Sequence, residues 1–167
     1  MRPQSLAHAE KRPLRFDDEV HFLRSWIEKP LTTGAVTQAL VEHGVDPAKL
    51  VLVEFNPTFC RMLRSRYPAA TVVQGDAYRL KHLLESTLRE PAAAIVSGLP
   101  LVTKPLRTRL RLISDAMTLL APNAPFVQFT YAMVPPIPKR LNGIRAEASP
   151  LIWLNLPPAR VWTYRSR

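Results

Sequence analysis

Leu50-Val51-Leu52-Val53-Glu54-Phe55-Asn56-Pro57 is the stretch whose reading decides the fold. Four apolar residues in succession suit a short strand buried on both faces. A carboxylate, Glu54, stands at its end, and Pro57–Tyr67 then reads as a helix that Pro68 stops. The same unit recurs downstream. Thr71-Val72-Val73 is a strand followed by Gly75-Asp76, and Tyr78–Arg89 a helix. Ala93-Ala94-Ile95-Val96 is a strand followed by Ser97-Gly98-Leu99-Pro100, and Pro105–Leu120 a helix with Leu106, Leu110, Ile113, Met117 and Leu120 as one apolar stripe. The strand tips Glu54, Asp76 and Ser97 lie 22 and 21 residues apart. That is the length of strand–helix units in an open α/β sheet.

Upstream, Ala35–His43 reads as a helix stopped by Gly44. Before it, Phe16, Val20, Leu23 and Ile27 recur at helical spacing, with Asp17, Asp18 and Glu19 in the first turn, which predicts an amphipathic helix over 16–29 behind a flexible tail, 1–15. Downstream, Phe126–Tyr131 is a fourth strand. Pro150–Asn155 and Arg160–Tyr164 are expected to form an antiparallel hairpin. Residues 16–167 are thus expected to form one domain.

The chain has 167 residues and a formal net charge of +10, and 47% of it is hydrophobic, which excludes an intrinsically disordered chain. A single cysteine, Cys60, excludes an internal disulfide framework and a multi-cysteine zinc site. Four scattered histidines lack metal-ligand spacing, so no metal is expected. No run approaches the roughly 20 apolar residues of a membrane span, and the opening residues lack the apolar core of a signal peptide. A cytoplasmic monomer, soluble or peripherally membrane-bound, is the expectation. The charge is uneven: residues 101–167 hold ten basic and two acidic side chains. That excess points to an anionic partner, lipid headgroups or a nucleic-acid backbone.

In an open α/β sheet, ligands bind outside the carboxyl ends of the strands. Glu54 at such an end can accept both hydroxyls of a ribose, and Asp76 can accept the exocyclic amine of an adenine. The carbonyls of Ser97, Gly98, Leu99 and Pro100 could orient an amine, and Tyr131 could face the same site. Cys60, inside a helix, reads as a packing residue. Phosphate-binding loops and nucleophile elbows are missing from the sequence.

Gly34-Ala35-Val36-Thr37-Gln38-Ala39-Leu40, Leu52-Val53-Glu54-Phe55-Asn56-Pro57, Val73-Gln74-Gly75-Asp76-Ala77 and Val96-Ser97-Gly98-Leu99-Pro100-Leu101 resemble the class I S-adenosylmethionine-dependent methyltransferases. Within them the chain is similar to the bacterial phospholipid N-methyltransferases, themselves similar in outline to the ribosomal RNA adenine dimethylases. Phe129-Thr130-Tyr131 and Asn155-Leu156-Pro157-Pro158-Ala159 extend the likeness, which covers 16–166. The resemblance implies a Rossmann-like sheet flanked by helices, S-adenosylmethionine as cofactor and methyl transfer to the amine of phosphatidylethanolamine. It implies cofactor binding by Gly34, Glu54, Phe55, Asp76, Ala77 and Ser97, and a catalytic border of Ser97, Gly98, Leu99, Pro100 and Tyr131. The partner it implies is an anionic phospholipid surface.

One departure stands out. The family has a first strand and a Gly-Pro-Gly-Thr-Gly type of loop before the Ala-Val-Thr helix, whereas here Pro30-Leu31-Thr32-Thr33 precedes Gly34. The resemblance therefore implies a sheet without its central strand and a pocket impaired by the missing loop. Two alternatives follow: an RNA adenine N-methyltransferase, which would normally carry an aromatic where Leu101 stands, and a non-catalytic membrane-binding relative.

Overall fold

The structure is a computed structural model and describes residues 33–132, 134–138, 143–151 and 158–166. The expected tail and the 16–29 helix lie outside them, as do Lys139, Arg140 and most of 150–155. The first described helix, α1 (Thr33–Glu42), ends where expected. Gly44 takes φ 88°, and the Gly44 and Val45 amides donate back to the Val41 and Leu40 carbonyls.

Strand β1 (Val51–Glu54) pairs in parallel with β2 (Thr71–Gln74), Leu52 opposite Val72. Between them runs α2 (Pro57–Arg66). Pro57 presets its first turn, and the Asn56 carboxamide caps it by accepting from the Thr58 amide at 2.8 Å. Cys60 and Leu63 are buried on its inner face, Leu63 packing with Leu52 and Tyr67. Cys60 is the packing residue its position suggested.

After β2 the expected helix over 78–89 is shorter. A 3-10 turn, Ala77–Arg79, leads into α3 (Leu80–Leu84), and turns follow. Ser86 and Thr87 are poor helix residues because their hydroxyls compete for backbone groups; Thr87 Oγ1 donates to the Leu83 carbonyl.

The second group of strands is β3 (Ile95–Ser97), β4 (Phe126–Thr130), β5 (Ile144–Ala148) and β6 (Arg160–Ser166), in spatial order β3-β4-β6-β5. β3 and β4 are parallel; β6 is antiparallel to both neighbours. The antiparallel C-terminal pair was expected, but its first member differs. It is Ile144–Ala148, not a strand starting at Pro150. Ser149 closes the pair, its amide donating to the Val161 carbonyl and its hydroxyl accepting from the Val161 amide.

Helix α4 (Leu106–Leu119) connects β3 to β4. Its buried stripe is Leu112, Ile113, Ala116 and Leu119. The expected stripe is therefore rotated, and Leu106, its first member, is exposed. The core lies on both faces of the strands. On one face α3, α4, Phe126, Trp162 and Tyr164 form the larger cluster, against which Val51, Val53, Val73 and Ile95 pack. On the other face Ala39 of α1 packs with Val127, Phe129 and Val161.

Those shared clusters make one layer of two parts, β2-β1 and β3-β4-β6-β5. Among the described residues no strand pairs between β1 and β3. The first strand that the resemblance implies to be missing would stand at this place.

Candidate active site

The carboxyl ends of β1, β2, β3 and β4 open on one end of the layer, and the polar residues singled out from the sequence lie at those ends. Glu54 closes β1 and is half-buried. Its Oε1 accepts from the Asn56 amide at 2.9 Å, and its Oε2 accepts from the Thr33 hydroxyl at 2.6 Å. The second bond ties the start of α1 to the tip of β1, across 21 residues of sequence. Gly34, buried, sits in that same first turn. Behind Glu54, the Cys60 thiol donates to the Glu54 carbonyl at 3.4 Å. Phe55 turns outward, 74% exposed.

At the next tip Gly75 passes against Leu83. A Cβ there would stand 2.5 Å from Leu83 Cδ2. Asp76 is exposed and caps the 3-10 turn that begins at Ala77, its Oδ1 accepting from the Tyr78 amide at 3.0 Å. Burial and, to a lesser degree, the Asp76 carboxylate push the Tyr78 phenol above its ordinary pKa. Lys104 Nζ lies 5.1 Å from the Tyr78 ring centroid, a cation–π contact joining the loops after β2 and β3.

Ser97 ends β3 and is buried; its hydroxyl accepts from the Leu99 amide at 3.3 Å. The four carbonyls expected to orient an amine are not equivalent. The Leu99 carbonyl accepts from the Leu101 amide and from Gln128 Nε2. The Pro100 carbonyl accepts from the Thr103 amide and hydroxyl. Both oxygens are therefore saturated. Tyr131 follows β4, its ring edge-on to Phe129 at 4.9 Å and 43% exposed.

Two residues escaped the sequence reading. Thr33 lies just outside the Gly34 motif, and only its position opposite Glu54 reveals it. Gln128 lies in a strand whose five residues are all buried. Its Nε2 donates to the Leu99 and Phe129 carbonyls, which fixes the amide's orientation and leaves Oε1 buried without a partner. A glutamine in an apolar strand was the available signal.

The site suits the adenosine half of S-adenosylmethionine. Each Glu54 oxygen accepts one hydrogen bond and keeps a lone pair, and Asp76 keeps Oδ2. Among the described residues no glycine-rich loop joins them. No group of side chains able to hold a metal occurs among the described residues, and no described helix is long and apolar enough to cross a membrane. The cavity of about 450 Å³ bounded by Asn123, Arg145, Arg165 and Ser166 lies at the other end of β4, away from these residues.

The architecture is shared with solved methyltransferases. TrmN from Thermus thermophilus superimposes with a TM-score of 0.60 at 14% identity, over 90% of this chain and 48% of that one. An O-methyltransferase from Bacillus cereus, solved with SAH, gives 0.60 at 13% identity over 81% and 70%. An rRNA methylase from Streptococcus thermophilus gives 0.55 at 19% over 96% and 100%. The chain has the Rossmann-like fold of S-adenosylmethionine-dependent methyltransferases. No family model matches it. By sequence it is similar to the ornithine lipid N-methyltransferase of Singulisphaera acidiphila, 30% identical over 107 residues, which are 62% of this chain and 56% of that protein. The match thus spans little more than half of that relative's length.

Proposed function

We propose that the chain binds S-adenosylmethionine at the carboxyl ends of β1 to β3 and transfers its methyl group to the amine of a lipid headgroup, of the phosphatidylethanolamine type. The observation that carries the reading is the pair of carboxylates, Glu54 and Asp76, with acceptor capacity left over at adjacent strand tips of this fold. The lipid N-methyltransferase relative supports the substrate class. When bound, the cofactor supplies a methyl group already activated on a sulfonium, so the protein's task is positioning.

Glu54, held by Thr33 and Asn56, would take the ribose hydroxyls and Asp76 the adenine amine, with Phe55 and Ala77 as their chain neighbours in the cofactor site. Gly34 lets the start of α1 approach. With the Leu99 and Pro100 carbonyls saturated, the Ser97 hydroxyl and the Gly98 carbonyl orient the attacking amine, and Tyr131 borders it. Gln128 is a positioning residue, fixing the Leu99 carbonyl and so the loop. The amine would lose its proton to water and then take the methyl group, the nitrogen–carbon bond forming as the carbon–sulfur bond breaks and S-adenosylhomocysteine leaves; the partner would be an anionic membrane surface.

Labelled methyl transfer to phosphatidylethanolamine vesicles, with ribosomal RNA as the parallel substrate, tests the reading. Label in the lipid supports it; label in RNA alone overturns it. A second reading, a non-catalytic membrane-binding relative, draws on the open place between β1 and β3. It requires vesicle binding with no cofactor binding.

A further inference from the structure

Of the exposed large apolar side chains of the described residues, all but Met62, which stands midway along α2, lie just after the carboxyl ends of β1, β3 and β4. Phe55, Phe59 and Met62 follow β1, on its tip and the outer face of α2. Val102 and Leu106 follow β3, in the loop and first turn of α4. Tyr131 and Val134, 61% exposed, follow β4. The loops at the opposite end, 43–50, 67–70, 85–94 and 120–125, carry none. Single exposed apolar residues are ordinary, but scatter would not put all but one of them just after one set of strand ends.

Cations accompany them. Helix α2 holds Arg61, Arg64 and Arg66 and no acid, and the stretch from Leu101 to Ser114 holds Lys104, Arg107, Arg109 and Arg111 and no acid. Arg61, Lys104 and Arg107 are exposed on the turns nearest the tips. Among the described residues the acids at this end, Glu54 and Asp76, belong to the site itself. Apolar side chains that can enter the acyl boundary, ringed by cations that can meet phosphate, match an anionic bilayer.

We infer that this rim, carried by the start of α2, the start of α4 and the segment after β4, is the face that docks on an anionic membrane surface, so that the site opens directly onto the headgroups. The inference rests on the lipid-methylating reading and adds to it the surface by which the substrate is reached.

The test is co-sedimentation of the full chain with vesicles of phosphatidylglycerol and phosphatidylcholine, and with phosphatidylcholine alone. The chain is expected to bind the anionic vesicles more tightly. Phe59→Ser and Leu106→Ser should each weaken that binding about tenfold, the loss of one buried apolar side chain. Lys104→Ala should weaken it about fivefold, and only on anionic vesicles. Cooperative urea unfolding of the two serine variants near the wild-type midpoint shows that they are folded. Wild-type-like vesicle binding by both serine variants overturns the inference, as does binding lost only in Leu23→Ser and Ile27→Ser, or no vesicle binding by a folded chain. The two proposals fail separately. Rim-dependent binding without methyl transfer to lipid sinks the activity and leaves the surface standing. Methyl transfer to detergent-dispersed lipid, with vesicle binding indifferent to the rim, sinks the surface and leaves the activity.

Discussion

Transfer of the protein into D2O probes the divided sheet residue by residue. The Thr71 amide donates to the Leu50 carbonyl and the Gly75 amide to the Glu54 carbonyl, at 2.9 and 3.0 Å. In a parallel ladder this turns the backbone of Leu50, Leu52 and Glu54 toward β2. Val51 and Val53 therefore turn their N–H and C=O groups the other way. The Ile95 amide donates to the Pro125 carbonyl at 3.0 Å, which turns Ile95 and Ser97 toward β4 and Val96 away from it. Six backbone polar groups thus face the place between β1 and β3. Left dry, each would cost at least about 1 kcal/mol, and together they would cancel much of the roughly 5–15 kcal/mol that holds a domain folded. Among the described residues no strand pairs with them, and all three valines are only half-buried, so water is expected to reach them. The amides of Val51, Val53 and Val96 should exchange within about tenfold of a free peptide. Leu52 and Ser97, bonded inside the sheet, should open only with the fold, at least about 1,000-fold more slowly for a stability of about 5 kcal/mol. Two-dimensional NMR of assigned amides reads this directly. Protection of the three valines equal to that of Leu52 and Ser97 would refute the reasoning and mean that chain fills the gap.

Three further perturbations have definite signs. Gly75→Ala forces Leu83 out of its rotamer and should lose about 1–2 kcal/mol in urea unfolding; in Leu83→Ala the same change should cost much less. Gln128→Leu removes two hydrogen bonds but also the buried unpartnered Oε1, so its unfolding free energy should stay within about 1 kcal/mol of wild type, while substrate KM rises because the Leu99 carbonyl loses its anchor. Burial holds the Tyr164 phenol well above its ordinary value of 10.0, against the smaller opposing effects of its Ile137 backbone bond and the Arg109 charge. The unfolded chain then loses this proton first, so stability is fully present below pH 10 and falls as the pH rises above it, by up to about 1.4 kcal/mol per unit. Tyr164→Phe should flatten that fall in denaturation curves taken from pH 9 to 11.

The parts of the fold that sequence revealed are those whose side chains pack on both faces. Leu52 and Val72 meet one core cluster, and Val51, Val53 and Val73 pack against another. β5 escaped because Ile144-Arg145-Ala146-Glu147-Ala148 is an edge strand, with Arg145 and Glu147 paired at 3.0 Å on one face. Its alternation is too short and too charged to outweigh the neighbouring prolines. In α4 the period was legible but not the phase: a stripe through Leu106 and one through Leu112 differ by a fraction of a turn, and only the packing partners decide between them. At the site, the carboxylates were legible from their place after apolar runs. The saturation of the Leu99 and Pro100 carbonyls was not, since it depends on Gln128 reaching across from another strand and on a tight turn at Thr103.

The central claim is that the strand tips hold the adenosine half of the cofactor although no described strand joins β1 to β3. Calorimetric titration of the folded chain with S-adenosylhomocysteine tests it most directly. The account predicts saturable one-to-one binding that Glu54→Ala abolishes. No binding by a chain that unfolds cooperatively, or binding indifferent to Glu54→Ala, would contradict it.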